Sequence, residues 1–516
     1  MSSRFRFTLL VLATLALAPR ADARAAWDDV VFTRTDGLSG AGQSLVAWLA
    51  RARLHGLELA PDPIVARWLD PAARAAEPDP NHTQRAVERA LVAGLARLVA
   101  ELPPRPRTTP VLEHPEHRYY LSPDVTWRDA PRPEASPEAL TAALDAARAG
   151  RLDEHLHALA PRHPQYARLV AAGERYAELC AAGGWPILER PKFEKAAQKP
   201  EVARALQERL ALEGFYEGSP SGVWDEPTLA ALAAFRDARQ VKDRGVADRL
   251  LYDALNVPCE ERLKTLALNA RRWRVSAWHE LPTWVEVNLA GQELRFYRDG
   301  ALVRHVRTVV GGNDSYLNKA LGRRVYPNAS PILTDHIERI VINPQWAVPA
   351  RIAINEIDKA IAKDPTYLEK HRFVKLTTKT GGYQYIQQPG AGNALGQIKI
   401  LFPNTEDVYL HDTSKRAAFR HAVRAMSHGC VRVQDALELG VELLATDAAA
   451  SGQVFDEAAV RRQVHGGSRT YDLAHGVAVF FEYYTASVDE SGRVRFHPDI
   501  YAYDAETLAA EQVATP

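Results

Sequence analysis

Near Thr283 the apolar residues of this chain change period, and no single-class fold accommodates both periods. Before that point they recur three or four apart, in Leu45, Trp48 and Leu49 and again in Val87, Leu91, Leu95 and Leu98, the stripe of a helix with one buried face. After it Val285, Val287 and Leu289 alternate, Gly291 interrupts, Leu294 and Phe296 alternate again, and Asp299-Gly300 marks a hairpin ahead of Val303 to Val310. A helical part followed by a β-rich part is the expectation, and 516 residues at roughly 150 per domain suggest about three domains. With 46% hydrophobic and 25% charged residues the chain is neither disordered nor fibrous. Lys plus Arg equals Asp plus Glu at 64 each, so there is no basic footprint for nucleic acid or an anionic membrane.

Arg4 and Arg6 precede an apolar run from Phe7 to Ala18, followed by Pro19 and small residues at Ala21-Asp22-Ala23 or Ala23-Arg24-Ala25. This pattern predicts a secretory signal peptide over 1–25, because the run is shorter than the roughly 20 residues a span requires. Export without a membrane span after cleavage follows as the expectation. Three cysteines, Cys180, Cys259 and Cys430, make an odd count for an oxidising compartment, so one thiol stays unpaired unless it bonds another chain. Cys180 and Cys259 either pair with each other or are both buried apolar residues; spacing does not decide between these.

Residues 26–195 read as an α-helical scaffold region, with Pro-rich connectors at Pro103 to Arg107 and Pro131 to Pro137, helices over Leu140 to Ala149 and Leu152 to Ala182, and a stop at Gly183-Gly184-Trp185-Pro186. A small unit follows over 196–265. Val202, Leu206 and Leu210 repeat every four residues, Gly214 closes their helix, and Asp225 caps a second one with Pro227 in its first turn and Leu229, Leu232 and Phe235 facing inward. The β-rich region spans 280–505, with helical inserts at Pro349 to Lys363 and Lys415 to Ala425 and a hairpin around Asp489 to Gly492; 506–516 is a tail.

Chemistry concentrates in one stretch. In Val408-Tyr409-Leu410-His411 the alternation puts Tyr409 and His411 on the face opposite Val408 and Leu410. Ser427-His428-Gly429-Cys430-Val431-Arg432-Val433 follows, with Cys430 nineteen residues after His411. A thiol is a poor nucleophile until it loses its proton, which a nearby imidazole can take. Gly429 permits a tight turn that aims backbone N–H groups at a developing oxyanion, and Arg432 shares a face with Cys430 if the segment is extended. Taken alone, a Cys and a His at this distance do not define a site. A zinc site from His411, Asp412, His428 and Cys430 lacks any C-x-x-C or H-E-x-x-H element, so no metal is assigned.

The run "QQPGAGNALGQIKILFPNTEDVYLHDTS" with "AAFRHAVRAMSHGCVRVQDALELGVELL" resembles the catalytic core of the L,D-transpeptidases, with its "PG-x-x-NALG" turn, "HDT" strand end and "S-x-G-C-V-R" motif. "NPQWAVPARIAINEI" is similar to the family's "NP-x-W-x-VP" segment, and "EYYTASVDESGRVRFHPDIYAYD" to its closing hairpin. "ALQERLALEGFYEGSPSGVWDEPTLAALAAFRDAR" resembles the small three-helix peptidoglycan-binding domain. The whole arrangement resembles the large multi-domain periplasmic members of the family. What the resemblance implies is a multi-domain α and β protein: an all-α scaffold region, a small three-helix peptidoglycan-binding-like module, and a β-rich catalytic domain with a helical cap insertion over about 345–386.

By the same resemblance Cys430 is the nucleophile, His411 the general base, and Gly429 and Cys430 the oxyanion donors. Ser427, His428 and Arg432 order the site and meet substrate, and Asn393 and Gly396 form the turn beside the cleft and meet substrate there. No cofactor is implied. The implied substrates are peptidoglycan stem peptides, a tetrapeptide donor and an amine acceptor, joined by three-to-three cross-links, and the thiol is of a kind that reacts with carbapenems. Water in place of the amine would give an L,D-carboxypeptidase, and a non-catalytic wall-binding scaffold is the remaining alternative. Two departures stand out: Ile386 precedes Gln387 where the family has Arg, and a polar loop between Val310 and Pro331 carries Arg323 and Arg324, either substrate contacts or solvated charges.

Overall fold

The computed structural model describes residues 31–104, 133–276, 281–319, 322–378 and 381–514. The expected signal peptide and the connector residues 105–132 lie outside the described residues. The described residues form two compact units, one from 31–53, 57–103 and 133–160, the other from 54–56 and from 161 to 514.

In the first unit a short hairpin, β1 (Thr33–Arg34) with β2 (Gly37–Leu38), precedes helices α1 (Gly40–Arg51), α2 (Pro63–Leu69), α3 (Pro71–Ala75), α4 (Pro80–Glu101), α5 (Pro137–Arg148) and α6 (Leu152–Leu159). Side chains of Ser39, Asp62, Asp70, Asp79 and Ser136 cap five of these helices, and α2 to α5 begin with proline, which has no N–H to leave unsatisfied. Both stripes seen in the sequence are fully buried. Buried Glu88 accepts the backbone N–H groups of Val31, Phe32 and Thr33 and the Thr33 hydroxyl, which satisfies its charge without an ion pair among the described residues.

The second unit begins inside the region expected to be scaffold. Helix α7 (Pro164–Ala181) packs against α11 (Cys259–Val275), and Gln165 exchanges two hydrogen bonds with the backbone of Val488, at 2.5 and 3.0 Å. That pairing places α7 with the β-rich part. Between α7 and α11 lie α8 (Pro200–Leu212), α9 (Glu226–Ala238) and α10 (Arg249–Leu255), around a core that includes Leu206, Leu210, Phe215, Leu232, Phe235 and Leu251. Leu229, expected inward, is 51% exposed. The Asp225 carboxylate bonds both the N–H and the hydroxyl of Thr228, which sets the phase of α9 so that Thr228, Ala231, Leu232 and Phe235 face in.

A disulfide joins Cys180, at the end of α7, to Cys259, at the start of α11, and so closes a loop that contains the three-helix module. Loop-closure entropy removed from the unfolded chain is the main stabilisation such a bond provides. Replacing both cysteines by serine is expected to lower unfolding stability by about 2–4 kcal/mol, read from urea titrations, with reductant giving the wild type the same loss.

The β-rich part has strands β3 (Trp284–Asn288), β4 (Glu293–Arg298), β5 (Ala301–Gly311), β6 (Tyr316–Asn318), β7 (Arg323–Val325), β8 (Leu333–Ile342), β9 (Trp346–Ala347), β10 (Phe373–Thr377), β11 (Tyr383–Gln387), β12 (Ile398–Leu401), β13 (Leu410–His411), β14 (Ala425–Ser427), β15 (Val431–Val433), β16 (Arg469–Glu482), β17 (Ala486–Val488) and β18 (Val494–Phe496). The main sheet runs β14-β5-β15-β13-β12-β8-β16-β3-β4, and a further β4–β5 pairing closes it into a ring. Its core, including Val287, Phe296, Ile340, Ile398, Ile400, Leu410, Val431 and Val479, is joined by Leu439 and Leu443 of α12 (Ala436–Ala450). A three-stranded sheet, β10-β11-β9, and short helical turns over Ala350–Lys370 form a separate small core of Val348, Ile352, Ile357, Phe373 and Tyr385. This is the region expected to cap the cleft.

The helix expected over Lys415 to Ala425 is reduced to one tight turn, Arg416–Arg420, before β14. Buried Arg424 explains the difference. Its guanidinium donates to the carbonyls of Thr308, His421, Ala422 and Gln292, which holds the segment extended along β5. No helix among the described residues is long and apolar enough to cross a membrane.

Candidate active site

Strand register alone assembles the site. β13 pairs in parallel with β15, Leu410 opposite Val431 and His411 opposite Arg432, while β12 places Lys399 opposite His411. Residues paired across strands share a face, as do residues two apart. Lys399, Tyr409, His411, Cys430 and Arg432 therefore stand on one face, and Ile398, Ile400, Leu410, Val431 and Val433 go to the core on the other.

Cys430 is a free, half-buried thiol. Its sulfur lies 3.7 Å from the Asp407 carbonyl, on the face it shares with Tyr409. Burial pushes the thiol up from its ordinary value, and hydrogen bonds from Tyr409 and the charge of Lys399 work against that rise. His411 is 6% exposed, and its Nδ1 meets the Asp412 carbonyl at 2.5 Å. That bond assigns the proton to Nδ1 and leaves Nε2 as the basic nitrogen. Burial, then the charge of Arg432, lower the imidazole to about 3. No hydrogen bond joins the sulfur to the imidazole; the thiol faces Asp407 and Tyr409, one residue pair along the same face.

The loop before Cys430 is built from inside. Ser427 Oγ donates to the Cys430 carbonyl at 2.6 Å and accepts the Gly429 N–H at 3.2 Å. Gly429 has φ +122°, open to glycine and strained for other residues. Its N–H bonds Ser427 Oγ, and the Cys430 N–H bonds no protein acceptor among the described residues. Ser330 Oγ donates to the Gly429 carbonyl at 2.6 Å and accepts the Gly311 N–H, and the Tyr501 hydroxyl joins Ser330 to the Gly311 carbonyl.

Asn393 and Gly396, expected to meet substrate, are occupied within the turn. Asn393 is 2% exposed and donates to the carbonyls of Pro344 and Gln388 while accepting the Leu395 N–H. Gly396 has φ +60°, and a Cβ there would lie 2.3 Å from the Asp412 carboxylate, which bonds the Gln397 N–H and Arg416. Gln387 likewise spends its amide on the carbonyls of His371 and Gly392 and the N–H of Ala394. Arg324 bonds Ser315, and Arg323 lies 3.6 Å from Glu506.

The cap reaches the site twice. Glu356 Oε1 lies 2.7 Å from His428 Nε2, and the Trp346 side chain acts on that of Tyr409, pulling its phenol down against the rise that burial causes. Sequence reasoning missed Lys399, Glu356, Ser330 and Tyr501. Only Lys399 carried a signal: a lone cation inside the apolar run Ile398 to Phe402.

The chain is similar to known proteins. Residues 282–444 match the family described as the L,D-transpeptidase catalytic domain, and residues 25–172 match the scaffold domain. A Haemophilus influenzae protein provisionally named an L,D-transpeptidase is 29% identical over 261 residues, 48% of this chain and 49% of the relative; the chain thus spans about half the length of this curated relative. Among solved structures, an L,D-transpeptidase of Xylanimonas cellulosilytica is 17% identical, covering 57% of this chain and 98% of that one at TM-score 0.18. Another from Stackebrandtia nassauensis is 14% identical, covering 55% and 90% at TM-score 0.20.

Proposed function

We propose that this chain, which carries an L,D-transpeptidase catalytic domain at residues 282–444, is a periplasmic peptidoglycan L,D-transpeptidase that works through a thioester on Cys430. The observation that carries the reading is the common face holding Cys430, His411 and Arg432 beside the cap. The Cys180–Cys259 disulfide suits an oxidising compartment.

Sulfur attacks the carbonyl between the third stem residue, expected to be meso-diaminopimelate, and the terminal D-Ala of a tetrapeptide. As the S–C bond forms and the amide C–N bond breaks, His411 Nε2 takes the thiol proton and passes it to the departing D-Ala amine. An amine of a second stem then attacks the thioester. The new N–C bond forms, the S–C bond breaks, and His411 carries the amine proton back to sulfur. Arg432 binds a stem carboxylate, and the Cys430 N–H faces the developing oxyanion. The cap keeps water from the thioester.

Incubating the protein with disaccharide-tetrapeptide and reading product masses tests this. Loss of D-Ala with a covalent dimer is expected. Tripeptide alone would make the chain an L,D-carboxypeptidase, and recovery of intact tetrapeptide would overturn the reading.

The buried imidazole sets the pH dependence. Because burial and Arg432 hold His411 near 3, it stays neutral, and able to accept a proton, well below the ordinary range of a histidine. kcat/KM is therefore expected to hold between pH 7 and 5. A tenfold fall per pH unit beginning near 6.5 would show an ordinary, solvated histidine instead.

A further inference from the structure

Lys399 is a desolvated cation in the site with no carboxylate partner within ion-pair distance among the described residues. Its ammonium sits 3.9 Å from the centroid of the Tyr409 ring, and Tyr409, on the same face, in turn acts to lower the Cys430 thiol. A cation against an aromatic face is attracted to the ring and, through it, makes the phenol O–H a better donor. We propose that Lys399 is a positioning residue that stabilises negative charge on the Cys430 sulfur through Tyr409, whose hydroxyl donates to the sulfur as its proton leaves. This rests on the reading of Cys430 as nucleophile.

The need for such a device follows from the rest of the site. A buried, neutral His411 is a poor partner for a thiolate–imidazolium pair, so another positive charge must offset the sulfur's. Arg432 faces the site from β15, where the Cys430 sulfur and then Glu356 of the cap act on its charge. His428 is engaged by that same Glu356, and Asp407 adds a carboxylate that opposes the thiolate. Lys399 is the cation whose charge bears on the sulfur from β12, and burial strengthens its effect.

The test reads the sulfur and not the transpeptidation, so it can fail independently of the proposed function. Iodoacetamide alkylation of Cys430 in the full chain is followed by mass from pH 6 to 11, with Cys180 and Cys259 held as the disulfide. Lys399→Met is expected to move the rate profile to higher pH, slowing alkylation at pH 8 by about tenfold, one unit of sulfur pKa. Lys399→Arg, which keeps the charge, is expected to retain most of the wild-type rate. Tyr409→Phe is expected to slow alkylation similarly, and adding Lys399→Met to it to change little further. A Lys399→Met profile superimposed on the wild type, or a Lys399→Arg profile as displaced as that of Lys399→Met, overturns the proposal. Should Lys399→Met not fold, Tyr409→Phe decides alone, and an unmoved profile there overturns it.

Discussion

Cys430→Ala is expected to abolish release of D-Ala from a tetrapeptide stem, by about ten-thousand-fold or more in kcat. No other thiol can substitute, since Cys180 and Cys259 are bonded to each other, and no covalent step is open to alanine. The fold should be untouched. The side chain is half-buried, and its one hydrogen bond among the described residues is to the Asp407 carbonyl, so stability is expected to stay within about 0.5 kcal/mol of the wild type. His411→Gln should cost nearly as much activity, because the sulfur then has no acceptor for its proton. The double variant should be no worse than Cys430→Ala, as expected of residues that act as one unit. D-Ala release and intact mass of the acyl-enzyme measure all three. Wild-type release by Cys430→Ala would remove the sulfur from the mechanism.

The largest expected loss of stability comes from Glu213→Gln. Glu213 is buried at the end of α8, with Arg239 at 2.6 Å, Arg209 at 2.8 Å and the Tyr176 hydroxyl donating at 2.6 Å. Arg239 also donates to the Val494 carbonyl, and both Arg239 and Arg262 lie over the Phe496 ring. One carboxylate therefore balances the charges that tie α7, the three-helix module and α11 to the β17–β18 hairpin. Removing it leaves buried guanidinium groups uncompensated, a cost of about 3–5 kcal/mol. Urea titration at pH 7 measures this, and a difference under about 1 kcal/mol would make the cluster no better than a surface pair.

Acid should erase the difference. Burial works to raise the Glu213 carboxyl, but Arg239, Arg209 and Arg262 pull it down to about 2, below its unfolded value. Its contribution is thus complete above about pH 4.5 and disappears as pH falls through about 2. Wild type and Glu213→Gln are expected to converge there.

What the amino-acid sequence determined by itself is local in origin. Alternation decided that Tyr409 and His411 share a face and that Cys430 and Arg432 share one, because strand parity depends only on neighbouring residues. Helix stripes at Leu45 to Leu49 and Val87 to Leu98 were equally legible, being set by the period of the backbone. Even local reading failed where a side-chain bond intervened, as when Asp225 and Thr228 turned Leu229 to solvent and Arg424 kept its segment extended. Tertiary structure alone decided which faces meet. The β12–β13 register brought Lys399 opposite His411, and the cap brought Glu356 to His428 and Trp346 to Tyr409. Ser330 and Tyr501 reached the Cys430 loop from 99 residues before Gly429 and 190 residues after Gly311. It also paired Cys180 with Cys259 and tied Asn393 and Gly396 into the turn beside the cleft. Such contacts follow from long-range pairing and burial, which bring together residues whose sequence neighbours carry no trace of one another.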